Sequence, residues 1–394
     1  MAQSAHASIL PEQAERLPQP EENKPKVILD ERGLMDIPFL VLTVLLVMIG
    51  VVMMFSASYA RAYELKGNST YYFARQAIFA VVGIGLMLFV SRVNYQIWRA
   101  ASFIVLAAAV FFLLLVPIIG TEENGAKRWL NLGFTSFQPS ELAKLAIILS
   151  FASLMSTYRE KMQTFRYGVL PFAAILLVIC GLLLLEKHFS GIIIMLVIGA
   201  SMMFLGGTQL RWFFIGLAAF AVFAVVYLKT MGYASARVTA WRNPESDPSD
   251  AGYQILQSLY AIGSGGLMGL GFGKSRQKYL YLPEEHNDYI FSIVCEELGF
   301  VGAMVVILLF VLLIVRGYWI AMHARDRFGA LTAAGLTTLL AVQVFFNIGV
   351  VTNFLPATGI SLPFFSYGGT ALLLQLFEMG IVLSVSRQND NKLL

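Results

Sequence analysis

The chain has 394 residues, 58% of them hydrophobic and only 13% charged, with a mean hydropathy of +0.71. A soluble domain carries nearer a quarter charged residues, so the composition predicts a polytopic membrane protein. The net charge of +4 is small and scattered, which gives no case for a nucleic-acid partner. Cys180 and Cys295 both lie in apolar runs, without disulfide or metal-ligand spacing.

Residues 1–36 are polar, proline-containing and mixed in charge, and read as a disordered tail without a cleavable signal peptide. A helix needs about 20 apolar residues to cross the hydrocarbon core. Uncharged runs at 37–60, 76–91 and 100–121 predict the first three spans. Pro139–Thr157, apolar apart from Glu141 and Lys144, predicts the fourth; 167–185, 189–210 and 212–228 predict the next three. The eighth is 298–316, extended back through Tyr289. The run 328–377 is too long for one span, and NFLPATGISLPFFSYGG breaks it into two. The expected fold is therefore all-α: one membrane domain over 37–394 with ten transmembrane helices and a large loop, 229–288, between the seventh and eighth.

Positive charge sets the orientation. With the N-terminus cytoplasmic, the inner loops hold Arg92, Arg99, Arg159, Lys161, Arg166, Arg211, Arg316, Arg325 and Arg327; the short outer loops hold Arg61, Lys66, Arg75, Lys127, Arg128 and Lys187. Both termini are then cytoplasmic and the long loop is outside, where nucleotide cosubstrates are absent. A substrate used there must arrive already activated.

The second half of that loop is glycine-rich and ends in PEEHNDYIF. A P-loop would need a glycine five positions before Gly273, and a dinucleotide fingerprint starting at Gly263 needs one at the same place; Met268 stands there. The glycines then serve either close backbone approach or anion binding by backbone amides. Asp288, at the mouth of the eighth span, is either a helix N-cap or a partly desolvated general base. His286 and Glu284 read as solvated loop residues. Glu141 and Lys144, three apart in QPSELAKL, share a helix face as an ion pair, either locking helices or serving function. Of Glu296 and Glu297, one is expected to face the interior and the other a cavity. Glu378 is expected near the inner face, within reach of water. Arg237, Arg242, Lys274, Arg276 and Lys278 form a cationic population suited to phosphate or to anionic headgroups.

QPSELAKL, GYQILQSLYAIGSGGLMGLGFGKSRQKYLYLPEEHNDYIFSIVCEELG and LPATGISLPFFSYGG, in this order, resemble the SEDS (shape, elongation, division and sporulation) proteins across the chain after its tail. NIGVVTNFLPATGISLPFFSYGG is more similar to the division branch, FtsW, or its sporulation relative SpoVE than to the elongation branch, RodA. The resemblance implies a ten-helix glycosyltransferase of the bacterial plasma membrane that polymerises lipid II into peptidoglycan during septal wall synthesis. It implies Asp288 as the essential aspartate, with Glu141, Lys144, Arg237, Lys274, Lys278, Gln257 and Ser258 as substrate contacts. The implied partners are a class B penicillin-binding protein and other divisome proteins. No cofactor is required by the motifs, although a divalent cation, Mg²⁺ or Mn²⁺, would suit a pyrophosphate leaving group. The alternatives are a lipid II flippase and a non-catalytic division scaffold. The chain departs from the pattern at Asn287 and Tyr289, mildly, and at Lys187–His188, where many members carry Pro-Asp.

Overall fold

The computed structural model describes residues 33–123, 126–133, 135–230, 232–246 and 251–388. The expected tail lies outside the described residues apart from 33–36. In chain order the elements are α1 (Ile37–Lys66), α2 (Tyr71–Val90), α3 (Gln96–Ile119), the strands β1 (Thr121–Glu123), β2 (Ala126–Asn131) and β3 (Ser136–Phe137), then α4 (Pro139–Thr157), α5 (Phe165–Gly168), α6 (Leu170–Leu185), α7 (Phe189–Leu205), α8 (Leu210–Thr230), α9 (Gly232–Arg242), α10 (Ala251–Gly265), α11 (Ile290–Met322), α12 (Arg327–Val351) and α13 (Gly369–Arg387).

Among the described residues nine helices are long and apolar enough to cross a membrane. The expected sixth span, α7, is apolar throughout but has only 17 residues. The protein is a multi-pass, mainly helical membrane protein. Its centre is formed by α4, α12 and α13, whose residues are mostly buried, while the span within α8 buries none of its residues. α12 suits the centre because ALTAAGLTTLLAV is rich in small residues that let neighbouring backbones approach. Its Thr337 and Thr338 hydroxyls donate to carbonyls one turn back, 2.7 Å each, which satisfies both within the helix.

α1 starts where Asp36 accepts the Phe39 amide at 2.9 Å with proline in the first turn, and ends at Gly67 in the left-handed region. The Asp36 carboxylate is also held by Arg316 of α11 at 2.8–3.0 Å.

Two expectations are corrected. The α3–α4 connection is a three-stranded antiparallel sheet, β1-β2-β3, and not a plain loop. The long connection between α8 and α11 is in large part helical, through α9 and α10. Its glycine-rich end, 266–275, seals a break in α11. α11 would be about 50 Å long at 1.5 Å per residue, well beyond a 30 Å hydrocarbon core; Gly299, at φ 68° and ψ −170°, divides it. The Leu270 and Gly271 amides donate to the Glu296 and Glu297 carbonyls (2.9 and 3.0 Å), and the Phe300 and Val301 amides donate to the Gly266 and Leu267 carbonyls (2.9 and 3.1 Å). Gly269 is required: a Cβ on it would stand 2.1 Å from the Glu297 carbonyl oxygen. Close approach is thus the role of Gly265 and Gly269, while Gly266, Gly271 and Gly273 take a left-handed φ.

Candidate active site

Asp288 lies just before α11, but the N-cap residue is Tyr289 and no side chain caps that helix. The capping alternative therefore fails. The backbone around Asp288 is fixed by the other end of the chain. The His286 carbonyl accepts the Tyr367 amide at 2.9 Å, the Asn287 carbonyl accepts the Ser366 hydroxyl at 2.7 Å, and the Asp288 carbonyl accepts Asn347 Nδ2 at 2.8 Å. Three successive carbonyls are held by α12 and the segment 352–368 that follows it. Before them, His286 packs on Tyr72, with ring centroids 4.9 Å apart, and Glu285 faces Arg61 at 3.7 Å. His286 and Glu285 are buried, so His286 is not the solvated residue expected.

The carboxyl of Asp288 is pushed up to about 6, first by burial and then by Glu284, with Arg237, His286 and Arg128 opposing the rise. Arg237, on α9, reaches the same place and donates from Nη1 to the Ala357 carbonyl at 2.9 Å. Arg128, on β2, donates from Nη2 to the Lys187 carbonyl at 2.7 Å. The chain pattern marked Arg128 only as an outer-loop charge; the sheet aligns it with the site.

Beside Asp288 lies a cleft with a water-accessible volume of about 40 Å³, lined in part by Gln138, Glu141, Lys144, His188, Gln343 and Gly359. Gly359 links the two, since a Cβ on it would come 3.3 Å from Asp288 Oδ2. Glu141 and Lys144 form the expected ion pair at 2.6 Å, with Lys144 buried. Glu378 senses both charges and is itself buried at 4% exposure, which corrects its expected place near water. α13 runs to Arg387, so Glu378 falls mid-helix and not near its end.

The Lys187–His188 departure borders this cleft. Lys187 takes a left-handed φ of 53°, and the turn leaves Lys187 exposed with Glu186 and His188 both buried. Burial, then Arg128 and Lys144, push the His188 imidazole down to about 3, so the ring is neutral. Burial pushes Glu186 up to about 8, against Arg128, and neither carboxyl oxygen has a hydrogen-bond partner.

The structure gathers Asp288, Arg237, Glu141 and Lys144 around 353–361, and keeps the other expected contacts away. Lys278 is buried with its three bonds committed to Glu297 (3.0 Å), Ser56 (3.1 Å) and the Gly273 carbonyl (2.7 Å). Ser258 is buried between Ser292 (2.8 Å) and the Val351 carbonyl (2.7 Å), a helix-packing role. Lys274 is exposed, and Gln257 is half-buried on α10. Glu296 and Glu297 are both buried. Glu296 accepts the Ser275 hydroxyl and the Arg276 amide (2.9 Å), and Glu297 accepts Ser56 at 2.7–2.8 Å and the Ser275 amide at 3.2 Å. The amides of Ser275 and Arg276, just after the glycines, therefore hold the chain's own carboxylates, while those of Gly269 and Gly271 bond backbone carbonyls. Among the described residues no group of three or more His, Cys, Asp or Glu side chains is placed to hold a metal ion.

Residues 37–391 match the family profile described as cell cycle protein, FtsW/RodA/SpoVE. The chain is 40% identical over 361 residues to the stage V sporulation protein E of Bacillus subtilis, covering 89% of this chain and 97% of that one. It is 38% identical over 354 residues to a probable peptidoglycan glycosyltransferase FtsW of Geobacter sulfurreducens, covering 89% and 95%. Its fold is similar to a chain of a peptidoglycan synthase complex solved for the coordination of polymerisation and crosslinking, with a TM-score of 0.76, 28% identity and coverage of 91% and 99%. It is also similar to the rod shape determining protein RodA of Thermus thermophilus, with a TM-score of 0.68, 28% identity and coverage of 91% and 98%.

Proposed function

This chain belongs to the FtsW/RodA/SpoVE family, and from that premise we propose that it is a peptidoglycan glycosyltransferase that polymerises lipid II during septal wall synthesis. The observation that carries the reading is Asp288: a carboxyl raised to about 6, on a backbone anchored through three consecutive carbonyls, at the edge of a cleft. A base of that strength is part-ionised near neutrality and can accept a proton without leaving its place.

In the proposed step Asp288 takes the proton from the 4-hydroxyl of the acceptor's N-acetylglucosamine. The freed oxygen bonds to the anomeric carbon of the donor sugar, and the bond from that carbon to the pyrophosphate breaks with inversion. Undecaprenyl pyrophosphate leaves with the bonding electrons. Arg237 and Arg128 lie within electrostatic reach of Asp288 and are suited to stabilise negative charge developing nearby. Glu141 and Lys144 bind substrate in the cleft. The end bearing the sheet and the α8–α11 connection faces away from the cytoplasm, in keeping with a donor that carries its own leaving group, and both termini are cytoplasmic. A class B penicillin-binding protein would supply crosslinking, and other divisome proteins the septal location.

The deciding experiment supplies labelled lipid II in detergent to the purified protein, alone and with its class B partner. Glycan polymer is expected in at least one condition, and is expected to vanish with Asp288→Asn. With no membrane to cross, a flippase or a scaffold makes none.

A further inference from the structure

Two side chains on the cleft lining each keep a buried polar atom without a hydrogen-bond partner: the hydroxyl of Ser140, 2% exposed, and Nδ1 of His188, 9% exposed. Native proteins retain few such atoms, and each calls for an explanation. The two arise on different elements, Ser140 in the first turn of α4 and His188 just before α7, yet line the same cleft. Gly191 lines it too, and a Cβ there would stand 3.0 Å from His188 Nδ1, so the bare glycine keeps that nitrogen uncovered by a side chain.

The surroundings narrow the ligand. Lys144 is already neutralised by Glu141 at 2.6 Å, so the cleft offers no unpaired cation to an anion. His188 is neutral, so its Nδ1 presents either an N–H or a lone pair according to tautomer, and the Ser140 hydroxyl can rotate to supply the complementary role. Ile194, Met195 and Ile360 add an apolar wall. A lone hydroxyl would leave one orphan atom unmet and the wall bare. An amide bearing a methyl group meets all three.

Resting on the glycosyltransferase reading, we propose that this cleft is the subsite for an acetamido group of a 2-acetamido sugar in the substrate, with Ser140 and His188 meeting its N–H and C=O and the wall of Ile194, Met195 and Ile360 meeting its methyl. His188 and Ser140 are then specificity-determining residues, and His188 does by neutral hydrogen bonding what a carboxylate at its position could not do without adding charge.

The test measures equilibrium binding of lipid II to the purified full-length protein in detergent, beside polymer yield. Native lipid II is compared with two analogues, each with one acetamido group replaced by a hydroxyl. Loss of a buried hydrogen bond predicts that one analogue binds about tenfold more weakly. Ser140→Ala, His188→Ala and Gly191→Ala should each weaken native lipid II by about the same factor and bind that analogue no worse than native. His188→Asn, which keeps an amide donor and acceptor, should retain the discrimination. Should His188→Ala fail to fold, Ser140→Ala and the analogue comparison decide alone. Equal binding of both analogues by the wild type, or full discrimination by Ser140→Ala and Gly191→Ala, overturns the subsite. Selective binding without any polymer, either alone or with the class B partner, would instead sink the glycosyltransferase reading and leave the subsite standing.

Discussion

Gly359 lies so close to Asp288 that any side chain on it would press the carboxyl, its Cβ standing 3.3 Å from Oδ2. Gly359 also has φ +69°, a conformation that costs a residue with a Cβ roughly 1–2 kcal/mol. Gly359→Ala is expected to lower polymer yield by more than it lowers the unfolding temperature. A variant with wild-type turnover would show that the carboxyl has room to spare.

Asp288→Asn should reduce polymer formation by about 10²–10⁴-fold without lowering the unfolding temperature, since the neutral amide removes a buried charge. Because the base works ionised and its carboxyl is raised to about 6, wild-type rate should climb as pH rises through that value and then level off. A pH profile of initial rates on labelled lipid II measures the limb; its midpoint near the ordinary carboxylate range would contradict a desolvated base.

Asn347 holds the Asp288 carbonyl at 2.8 Å and the Ile360 carbonyl at 2.8 Å through one amide nitrogen. Asn347→Leu keeps the branched shape and removes both bonds. Misplacement of a catalytic group by about 1 Å can cost on the order of 10²-fold, so kcat should fall while KM holds and the acid limb keeps its midpoint. A KM rise with kcat intact would assign Asn347 to binding.

Glu186 should make stability fall as pH rises from about 4.5 to 8. Its carboxyl is raised from 4.5 to about 8 in the fold, so its contribution to stability is full below 4.5 and is lost as pH rises through 8. Glu186→Gln mimics the protonated form, so its unfolding temperature should fall less steeply than the wild type's across that window. Parallel curves would mean that Glu186 is solvated.

Lys278 and Lys274, four residues apart, should behave oppositely. Lys278→Met strands the buried carboxylate of Glu297 and should destabilise by about 3–5 kcal/mol. Lys274→Ala, on the surface, should leave thermal unfolding unchanged. Equal effects in a detergent unfolding series would remove the distinction.

What the sequence made legible is what lies within one helix or one motif. Pro139–Thr157 was bounded by its own proline and hydropathy, and the Glu141–Lys144 pair follows from three-residue spacing on a helix. The parts that remained hidden depend on partners far along the chain. Nothing local distinguishes Lys278, an ion-pair partner, from Lys274, an exposed charge, because Glu297 decides it. Asn347 lies 59 residues from Asp288, and Ser258 meets Val351 across 93. Of the sheet over 121–137, β1 and β3 have only three and two residues, and the six of β2, AKRWLN, do not alternate in burial, which left Arg128 looking like one more loop charge.

The seam at Gly299 decides what can move. Swinging 266–271 outward would bare four backbone groups together, at about 1–3 kcal/mol each if they stay dry. Even the lower bound, about 4 kcal/mol, holds the opened form to roughly one molecule in a thousand. The break in α11 is therefore clamped, and the two halves of the helix keep one angle to each other while the segment stays shut.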